Sequence, residues 1–303
     1  MRGEPNPKGA AGAELFLCVG DVMEGPITAL EPAPGVELPE QRADLAERPF
    51  RLKILHINDL HGHIIRFHTR PALPVFSKIV YYVRQLRRRI EDDPQAAVLF
   101  LSAGDDLVGT VLDELLGDDP DSYDMHAGYH LYSEAGVDAS AIGNHDLDMG
   151  SQLLARAIEE DAAHTILSAN LVGSRWLQDH YYPAALMVVK GIRVGLIGLS
   201  TPAAIKPQQD AGLHVANPVQ AVHNLLPALR PHCDAIVILS HLGYSLSSSS
   251  GSVSEAGDVE LAQSLPSGAV QLIVGGHTHH VLNEQGLTPD NIVNGIPIVQ
   301  AGT

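Results

Sequence analysis

The sequence predicts an α/β fold built of layers, and two observations lead to that prediction. Strand-like apolar runs alternate with segments whose apolar residues recur at helical spacing, which is the pattern of a layered α/β domain. Metal-ligating residue types directly follow several of the strand-like runs, at the ends where α/β sheets place their functional sites. With 303 residues, 45% of them hydrophobic, the chain can bury a substantial core.

The first half of the alternating region contains four predicted strands and three predicted helices. Continuous apolar runs such as Ala96–Leu101 are typical of strands that are buried on both faces. Val75–Ile90 instead has apolar residues at the spacing of an amphipathic helix. The predicted elements are strand Arg51–Ile57, helix Val75–Ile90, strand Ala96–Leu101, helix Ser122–Ala135, strand Val137–Ile142, helix Ser151–Asp161 and strand Thr165–Ala169.

The second half continues the pattern after a predicted β-hairpin. Ala185–Val189 and Arg193–Leu199 are expected to pair, because Lys190-Gly191 between them is a short turn containing glycine. The later elements are helix Pro218–Leu229, strand Ala235–Leu239, helix Val259–Leu265, strand Val270–Val274 and strand Ile296–Ala301.

Composition and charge exclude several classes of function. The net charge of −17, from 36 acidic against 19 basic residues, argues against a protein that binds nucleic-acid polymers or anionic membranes through a basic face. It does suit a protein that gathers divalent cations. The two cysteines, Cys18 and Cys233, form no Cys-x-x-Cys motif and are expected to be buried free thiols. No apolar run approaches the length of a membrane span, and the N-terminus has no secretion signal, so we expect a cytoplasmic location for the sequence as it stands.

Five polar clusters follow five of the predicted strands. Each has an ordinary explanation when taken alone; the stretch from Gly143 to Asp148, for example, has the composition of a turn or a helix cap. Five such clusters are difficult to explain by packing, because buried polar groups are costly unless they are paired or used. The clusters are Asp59-Leu60-His61, Gly104-Asp105, Gly143-Asn144-His145-Asp146-Leu147-Asp148, His241 and Gly275-Gly276-His277-Thr278-His279-His280.

The residue types in these clusters indicate a metal site. A mixture of imidazole nitrogens and carboxylate or amide oxygens suits Mn, Zn or Fe rather than calcium. The number of candidate ligands is sufficient for two divalent metal ions that share one carboxylate. Two ions about 3.5–4 Å apart can clamp the attacking and the leaving oxygen of a phosphoryl displacement.

The ordered set of these motifs resembles the calcineurin-like metallophosphoesterases. Within that family it is most similar to the catalytic domain of the 5′-nucleotidases, because of His-Ile-Asn-Asp-Leu-His-Gly around Asp59 and Leu-Ser-His-Leu-Gly around His241. The resemblance covers about Arg51 to Thr303. It implies a β-sandwich flanked by helices, in a four-layer α/β/β/α arrangement.

The resemblance also implies that seven residues hold the two metal ions. One carboxylate bridges both ions, and each ion has three further ligands. The bridging ligand is Asp105, the first ion is held by Asp59, His61 and His279, and the second ion is held by Asn144, His241 and His277.

By the same resemblance, His145 and Asp148 form a catalytic dyad. His145 stabilises the transferring phosphoryl group or protonates the leaving oxygen, and the carboxylate of Asp148 fixes its tautomer. Asp146 and His280 border the ligands and are expected to support the loops rather than to bind metal. Asp106 is expected to be a residue of a turn or of a helix start.

The implied function is hydrolysis of phosphate esters by metal-activated water. The reaction that the resemblance favours is release of phosphate from nucleotides, as in the 5′-nucleotidases. Three alternatives keep the fold and change the bond that is cleaved: a 2′,3′-cyclic-nucleotide phosphodiesterase, a nucleotide-sugar hydrolase and a thiosulfohydrolase. A further alternative is a non-catalytic binding module, whose expected mark would be a lost ligand. The expected partner is a small-molecule phosphate ester, with no nucleic-acid polymer and no membrane.

The resemblance divides the chain near residue 50. Residues 1–50 are expected to form an N-terminal extension, with a disordered arm over Met1–Ala13 and one short strand at Glu14–Val19. Residues 51–303 are expected to form the metallophosphoesterase catalytic domain. The C-terminal nucleotide-binding domain found in longer members of the family has no counterpart in this sequence.

Overall fold

Two large β-sheets pack face to face. A computed structural model describes residues 2–5, 13–32, 47–65, 73–106, 109–202, 210–245 and 256–303, with residues 35, 37, 38, 40, 42, 44 and 45. Within these ranges the strands are β1 (Arg2–Pro5), β2 (Ala13–Val19), β3 (Glu31–Pro32), β4 (Arg51–Ile57), β5 (Ala96–Ser102), β6 (Ala139–Ala141), β7 (Thr165–Leu167), β8 (Leu171–Val172), β9 (Ala184–Val189), β10 (Ile192–Ser200), β11 (His214–Val215), β12 (Ala235–His241), β13 (Leu272–Gly275), β14 (Ile292–Val293) and β15 (Ile296–Val299). The helices are α1 (Val75–Arg89), α2 (Ala127–Ala135), α3 (Ser151–Glu160), α4 (Pro218–Leu229) and α5 (Asp258–Ser264).

The two large sheets differ in strand direction. The smaller sheet has the order β4-β5-β6-β7, and all of its pairs are parallel. The larger sheet has the order β14-β15-β13-β12-β10-β9-β2-β1-β3. Its segment from β10 through β12 and β13 to β15 is parallel, whereas β9 runs antiparallel to both β10 and β2. A short pair, β8 with β11, forms the third sheet.

The core lies in three apolar layers, one between the sheets and one outside each sheet. Side chains alternate across a strand, so Leu99 and Leu101 pack between the sheets whereas Phe100 packs against α1 and α2. In the same way, Leu196 faces the other sheet and Ile197 packs against α4. The order of layers is therefore helices α1–α3, the smaller sheet, the larger sheet, and helices α4 and α5. This arrangement confirms the α/β/β/α fold expected from the sequence.

The hairpin predicted around Lys190-Gly191 is present. β9 and β10 pair antiparallel with Val189 opposite Ile192, so the turn consists of two residues. Both have positive φ, 51° at Lys190 and 78° at Gly191, which is the backbone conformation of the type I′ turn that matches the twist of the flanking strands.

The N-terminal segment differs from the expectation of a disordered arm. The predicted strand at Glu14–Val19 is present as β2, and it pairs with β9 within the larger sheet. Arg2–Pro5 also forms a strand, β1, which pairs antiparallel with β2. The Gly/Pro-rich composition did not predict this pairing, because the hydrogen bonds are supplied by the free edge of β2 rather than by local sequence. The rest of the predicted arm, residue 1 and residues 6–12, lies outside the described residues.

One predicted helix begins later than expected. α2 starts at Ala127 rather than at Ser122, because His126 caps it by accepting a hydrogen bond of 2.9 Å from the backbone N–H of Tyr129. The residues before it form a turn in which Asp119 accepts bonds from the backbone of Ser122. In the described part of the chain, none of the helices is both long and apolar enough to cross a bilayer.

Candidate metal centre

The loops after five parallel strands meet at one edge of the sandwich. β4, β5 and β6 are parallel neighbours, as are β12 and β13, so their carboxyl ends lie together. Hydrogen bonds join the loops of the two sheets. The backbone N–H of His277 donates to the carboxylate of Asp59 (2.9 Å to Oδ2), and Nδ1 of His241 lies 2.7 Å from the carbonyl oxygen of Ala103. The five polar clusters of the sequence therefore come together in space.

Asp59, His61 and His279 form the first candidate ligand group. One ligand atom from each lies within 4.8 Å of those of the other two. Nε2 of His279 is 3.2 Å from Oδ1 of Asp59, and the Nε2 atoms of His61 and His279 are 3.4 Å apart. Asp59 is fully buried, whereas the side chain of His279 is 45% exposed, so the group opens to solvent on one side.

Asp105, His241 and His277 form the second candidate group, again with ligand atoms within 4.8 Å of one another. Nε2 of His241 lies 2.9 Å from Oδ2 of Asp105. The same carboxylate oxygen is 3.9 Å from Nε2 of His61 in the first group. A third combination, His61, Asp105 and His145, overlaps both. Asp105 therefore lies at the junction, where a bridging carboxylate would have to be.

The donor set fits divalent metal ions. Nε2 of His241 and Oδ1 of Asn144 are buried, and neither has a hydrogen-bond partner in the parts of the chain that the structure describes. The close contact of His241 with Asp105 thus lacks hydrogen-bond geometry, as expected for two atoms that point at a common cation. A buried polar atom without a partner costs about 1–3 kcal/mol, and a cation would satisfy both atoms. Nitrogen and oxygen donors without thiolate are the set that Mn, Fe and Zn accept.

The charges within the site reinforce this arrangement. Burial alone would oppose a charge on either Asp105 or His241, but their mutual attraction lowers the pKa of Asp105 to about 2 and raises the pKa of His241 to about 9. Burial lowers the pKa of His277 to about 4, with the charge of His241 as the second cause. Burial also lowers the pKa of His61. Both rings are therefore neutral near pH 7, which is the form that coordinates a metal.

Backbone strain is concentrated at the candidate ligands. Eight non-glycine residues in the described ranges have positive φ, and five of them are predicted ligands. Side chains with a Cβ rarely adopt this conformation, which costs of order 1–3 kcal/mol and persists at functional sites where the surroundings impose it. The five are Asp59 (φ 50°), His61 (45°), Asp105 (55°), His277 (71°) and His279 (54°). This signal is independent of the sequence motifs.

Two glycines allow the loops to approach one another. A Cβ on Gly143 would lie 2.1 Å from Oδ1 of Asp105, and a Cβ on Gly104 would lie 2.8 Å from the backbone nitrogen of Gly143. Both contacts are shorter than real Cβ atoms make. The glycines that precede Asp105 and Asn144 in the sequence are therefore required by the close packing of these two loops.

His145 and Asp148 lie beside the ligand groups and contact each other. Nδ1 of His145 is 2.8 Å from Oδ2 of Asp148, and their side chains are 44% and 23% exposed. The ring of His145 meets that of His61 edge-on, with centroids 5.1 Å apart. The structure thus brings together the predicted dyad and places it at the open side of the site.

Asp146 supports the loops, in agreement with its position next to His145. Its carboxylate accepts hydrogen bonds from the backbone N–H groups of Gly143 (2.8 Å), Asp105 (3.1 Å) and Asp106 (3.1 Å). Burial, and then repulsion from Asp105, raises its pKa to about 6. The neighbouring Asp106 differs from the expectation of a turn or helix-start residue. It is a fully buried carboxyl group that accepts a 2.5 Å hydrogen bond from Oγ of Ser102.

Two supporting residues were not identified from the sequence. The amide of Asn58 donates to Oδ2 of Asp59 (2.7 Å) and to the carbonyl oxygen of Gly302 (2.6 Å). Asn58 could have been identified from the sequence by its position between the end of a predicted strand and Asp59. Asp258, at the start of α5, is buried behind the site and accepts a 2.5 Å bond from Oγ of Ser240. No local motif marks it, since it lies 17 residues after His241.

Comparisons with known proteins agree with this geometry. A model of the calcineurin-like phosphoesterase family matches residues 52–281. A 5′-nucleotidase of Vibrio cholerae is 30% identical over 274 residues, which cover 84% of this chain and 47% of that protein. The protein UshA of Yersinia enterocolitica is 31% identical over 240 residues, which cover 77% of this chain and 41% of that protein. The chain thus spans less than half the length of these curated relatives.

A solved structure has the same fold. The crystal structure of a 5′-nucleotidase precursor from Thermus thermophilus matches with a TM-score of 0.59 and 27% sequence identity, over 84% of this chain and 49% of that chain. The family match covers more than half of the sequence and spans every loop that contributes to the two ligand groups. The chain therefore belongs to the calcineurin-like phosphoesterase family.

Proposed function

We propose that this domain hydrolyses phosphate esters, with nucleotides as the substrate class, at a site that holds two divalent metal ions (Mn, Zn or Fe). One observation carries the proposal: the two ligand groups meet at Asp105, and the His145–Asp148 pair lies beside them. The relatives named 5′-nucleotidase support a nucleoside monophosphate as the substrate.

The residues of the site have separable tasks in such a reaction. Divalent cations in a two-metal site lower the pKa of a water molecule and neutralise charge on the phosphoryl oxygens. Asp59 and Asp105 supply negative charge, and the neutral rings of His61 and His277 supply nitrogen lone pairs. The glycines at positions 104 and 143 allow these groups to converge.

His145 is the group that moves a proton or binds the phosphoryl group. Asp148 engages Nδ1, which leaves Nε2 available to the substrate and stabilises the ring when it is charged. From there Nε2 can donate a hydrogen bond to a phosphoryl oxygen or a proton to the leaving oxygen. The 44% exposure of the side chain keeps it accessible to a substrate that arrives from solvent.

Two reactions with Mn²⁺ added test the proposal: phosphate release from AMP, and opening of a 2′,3′-cyclic nucleotide to the nucleoside monophosphate. The wild type is compared with Asp105→Ala and His145→Ala, and the bound metal is measured by elemental analysis. We expect the wild type to release phosphate from AMP. Asp105→Ala should abolish both this phosphate release and metal binding. His145→Ala should slow the reaction while keeping the metal. If metal-loaded wild type releases no phosphate from any nucleoside monophosphate, the substrate class is wrong.

A further inference from the structure

The last residues of β12 point alternately to the two faces of the larger sheet. Side chains alternate along a strand, so Ile238 packs on the outer face with the helices α4 and α5, whereas Leu239 packs on the inner face against the smaller sheet. The next two residues continue this alternation. The hydroxyl of Ser240 faces α5, and the ring of His241 reaches the candidate ligands on the inner face.

A buried carboxyl group at the start of α5 holds this end of the strand. Oδ1 of Asp258 accepts a 2.5 Å hydrogen bond from Oγ of Ser240, and the same Oγ accepts a 3.3 Å bond from the backbone N–H of Leu242. The backbone N–H of Asp258 donates in turn to the carbonyl oxygen of Gly243 (2.8 Å). Asp258 is thus bonded to the chain on both sides of His241, and these bonds fix how that residue leaves the strand.

The same carboxyl group also reaches β13. A Cβ on Gly275 would lie 2.2 Å from Oδ2 of Asp258, so glycine is needed there to leave room for this oxygen. The backbone N–H of Gly276 donates a 2.9 Å hydrogen bond to the carbonyl oxygen of Ser240, and His277 follows directly. Asp258 therefore lies where the chain leaves β12 and β13, and these two places supply both histidines of the second candidate group.

The helix α5 alone does not explain a carboxyl group at this position. Asp258 is fully buried, and its Oδ2 has no hydrogen-bond partner among the residues that the structure describes. Such a group is costly to bury, and each instance in a folded protein calls for an explanation. The start of α5 is already capped by Glu260, which accepts a 3.0 Å hydrogen bond from the backbone N–H of Gly257.

We propose that Asp258 is a positioning residue of the metal centre, which orients His241 and His277 through Ser240 and is not itself a ligand. This inference rests on the proposed metal site. Ligands that are held in the binding orientation before the ion arrives lose less conformational entropy when it binds. Residues that orient ligands contribute about 10–100-fold to metal affinity. We expect the lower end of that range, because Asp258 acts through a second residue.

Zinc titrations in competition with a chromophoric chelator measure this contribution without turnover. We expect Asp258→Ala to weaken Zn²⁺ binding about tenfold. Asp258→Asn should bind Zn²⁺ with the wild-type affinity, since its Oδ1 can still accept the hydrogen bond from Ser240. Ser240→Ala should lose as much affinity as Asp258→Ala, and the double variant should lose no more than either single variant. Glu260→Ala is the matched control, because it weakens the start of the same helix without removing the bond to Ser240.

Three results would overturn the proposal. Equal Zn²⁺ affinities of the wild type and Asp258→Ala would show that Asp258 does not serve the site. An equal loss in Asp258→Ala and Glu260→Ala would mean that Asp258 only supports α5. A loss in Asp258→Asn as large as in Asp258→Ala, or additive losses in the double variant, would show that the bond to Ser240 does not carry the effect.

NMR of the metal-free protein separates this inference from the proposed function. The ring signals of His241 are followed in protein that contains isotope-labelled histidine. Asp258→Ala should shift them, and both Asp258→Asn and Glu260→Ala should leave them at the wild-type positions. Wild type that binds no Zn²⁺ would reject the proposed metal site, whereas unshifted His241 signals in Asp258→Ala would reject the positioning role.

Discussion

The backbone N–H of His145 donates a 2.8 Å hydrogen bond to Oδ1 of Asp105. The other oxygen of that carboxylate, Oδ2, faces His241 and His61. One hydrogen bond thus fixes the rotation of the carboxylate at the junction of the two ligand groups and ties it to the loop that carries the dyad. The orientation of this candidate metal ligand and the placement of His145 are therefore coupled through the loops after β5 and β6.

Replacing the dyad residues should separate chemistry from metal binding. General acid catalysis contributes about 10²–10⁴-fold, so His145→Ala is expected to lower kcat for phosphate release within that range. Asp148→Asn weakens the orientation of the ring, and we expect a loss of about 10–100-fold. Metal content should stay at the wild-type value in both variants, because neither side chain is among the seven predicted ligands. Steady-state kinetics and elemental analysis measure the two effects.

Asp121→Asn is the control for these variants, since it removes one exposed carboxylate from a surface turn. It should leave kcat unchanged. Full activity in Asp148→Asn would show that the 2.8 Å contact with His145 does not serve the reaction.

Gly143→Ala should weaken metal binding, although it removes no candidate ligand. The added Cβ would meet Oδ1 of Asp105 at 2.1 Å and its backbone nitrogen at 2.5 Å. The backbone of Asp105 cannot move away as a flexible side chain can, so the Asp105 carboxylate must shift. A displacement of about 1 Å costs about 10²-fold in rate, and we expect that loss together with fewer than two metal ions per chain by elemental analysis.

Gly268→Ala provides a comparison for this prediction. Gly268 has φ +72° and open space around its Cβ position, so alanine there introduces backbone strain of about 1–2 kcal/mol without a clash. It should lower stability but leave the metal content intact. Normal metal content in Gly143→Ala would mean that the two loops are not as tightly packed as the structure indicates.

Asn58→Ala should weaken metal binding through Asp59. The amide bonds to Oδ2 of Asp59, and its own Oδ1 accepts a 2.8 Å bond from the backbone N–H of Ala301. Residues that orient a ligand contribute about 10–100-fold to metal affinity, and competition with a chelator of known affinity measures this loss. Asn170→Ala is the matched control, because Asn170 is also buried but bonds to Ser200 and Ala216. We expect it to reduce stability and to retain metal affinity; equal affinities for all three proteins would contradict the role of Asn58.

The sequence predicted the elements that have a strong local pattern. β5 and β12 were predicted as buried strands from their apolar runs, because each is covered on both faces, by the other sheet on one side and by helices on the other. The hairpin at Lys190-Gly191 and the amphipathic helix α1 were predictable for the same reason, since their signals lie within a few residues. The ligand clusters could be found because each directly follows such a strand.

Features that depend on distant contacts could not be predicted. β1 exists through pairing with β2, and Asp258 acquires its place behind the site only when α5 packs near Ser240. The strain at Asp59 and Asp105 likewise has no signature in their residue type. Local sequence indicates which functional groups are present at the strand ends. Tertiary packing determines which of them receive hydrogen bonds from neighbouring residues and how their side chains are oriented.

Stability should fall as the pH drops below 6.5, in part because of His126. Burial lowers the pKa of His126 from 6.5 to about 3, and its Nδ1 accepts the capping bond from Tyr129. The unfolded chain therefore binds a proton below pH 6.5 that the folded chain excludes until about pH 3, so acid favours unfolding in this window. Each pH unit below about 6.5 costs about 1.4 kcal/mol for such a group.

His126→Asn tests this contribution, because asparagine is a good helix cap that does not titrate in this range. The fall in unfolding free energy between pH 6 and pH 5, measured by urea denaturation, should be smaller than in the wild type by about 1.4 kcal/mol. His223→Asn, which alters an exposed histidine of α4, should leave the wild-type pH dependence unchanged. A slope for His126→Asn equal to that of the wild type would show that His126 does not stay neutral in the folded protein.

Lys190 should stabilise the fold from the end opposite to the site. Its Nζ donates to the carbonyl oxygens of Ile90 (2.9 Å), Glu91 (3.1 Å) and Asp93 (2.7 Å), which follow the C-terminus of α1, where a positive charge is favourable. We expect Lys190→Met to lower the free energy of unfolding by about 1–2 kcal/mol in urea denaturation at pH 7.

The turn and the ammonium group of Lys190 can be measured separately. Asparagine tolerates the positive φ of this position, and Asn-Gly is the preferred sequence of a type I′ turn. Methionine is as unfavourable as lysine at positive φ, so Lys190→Met removes only the ammonium group. Lys190→Asn should therefore be more stable than Lys190→Met, though less stable than the wild type if the three carbonyl contacts matter. Unfolding free energies of Lys190→Met and the wild type that agree within error would show that these contacts contribute nothing. Lys190→Asn above the wild type would show that backbone strain at this turn outweighs them.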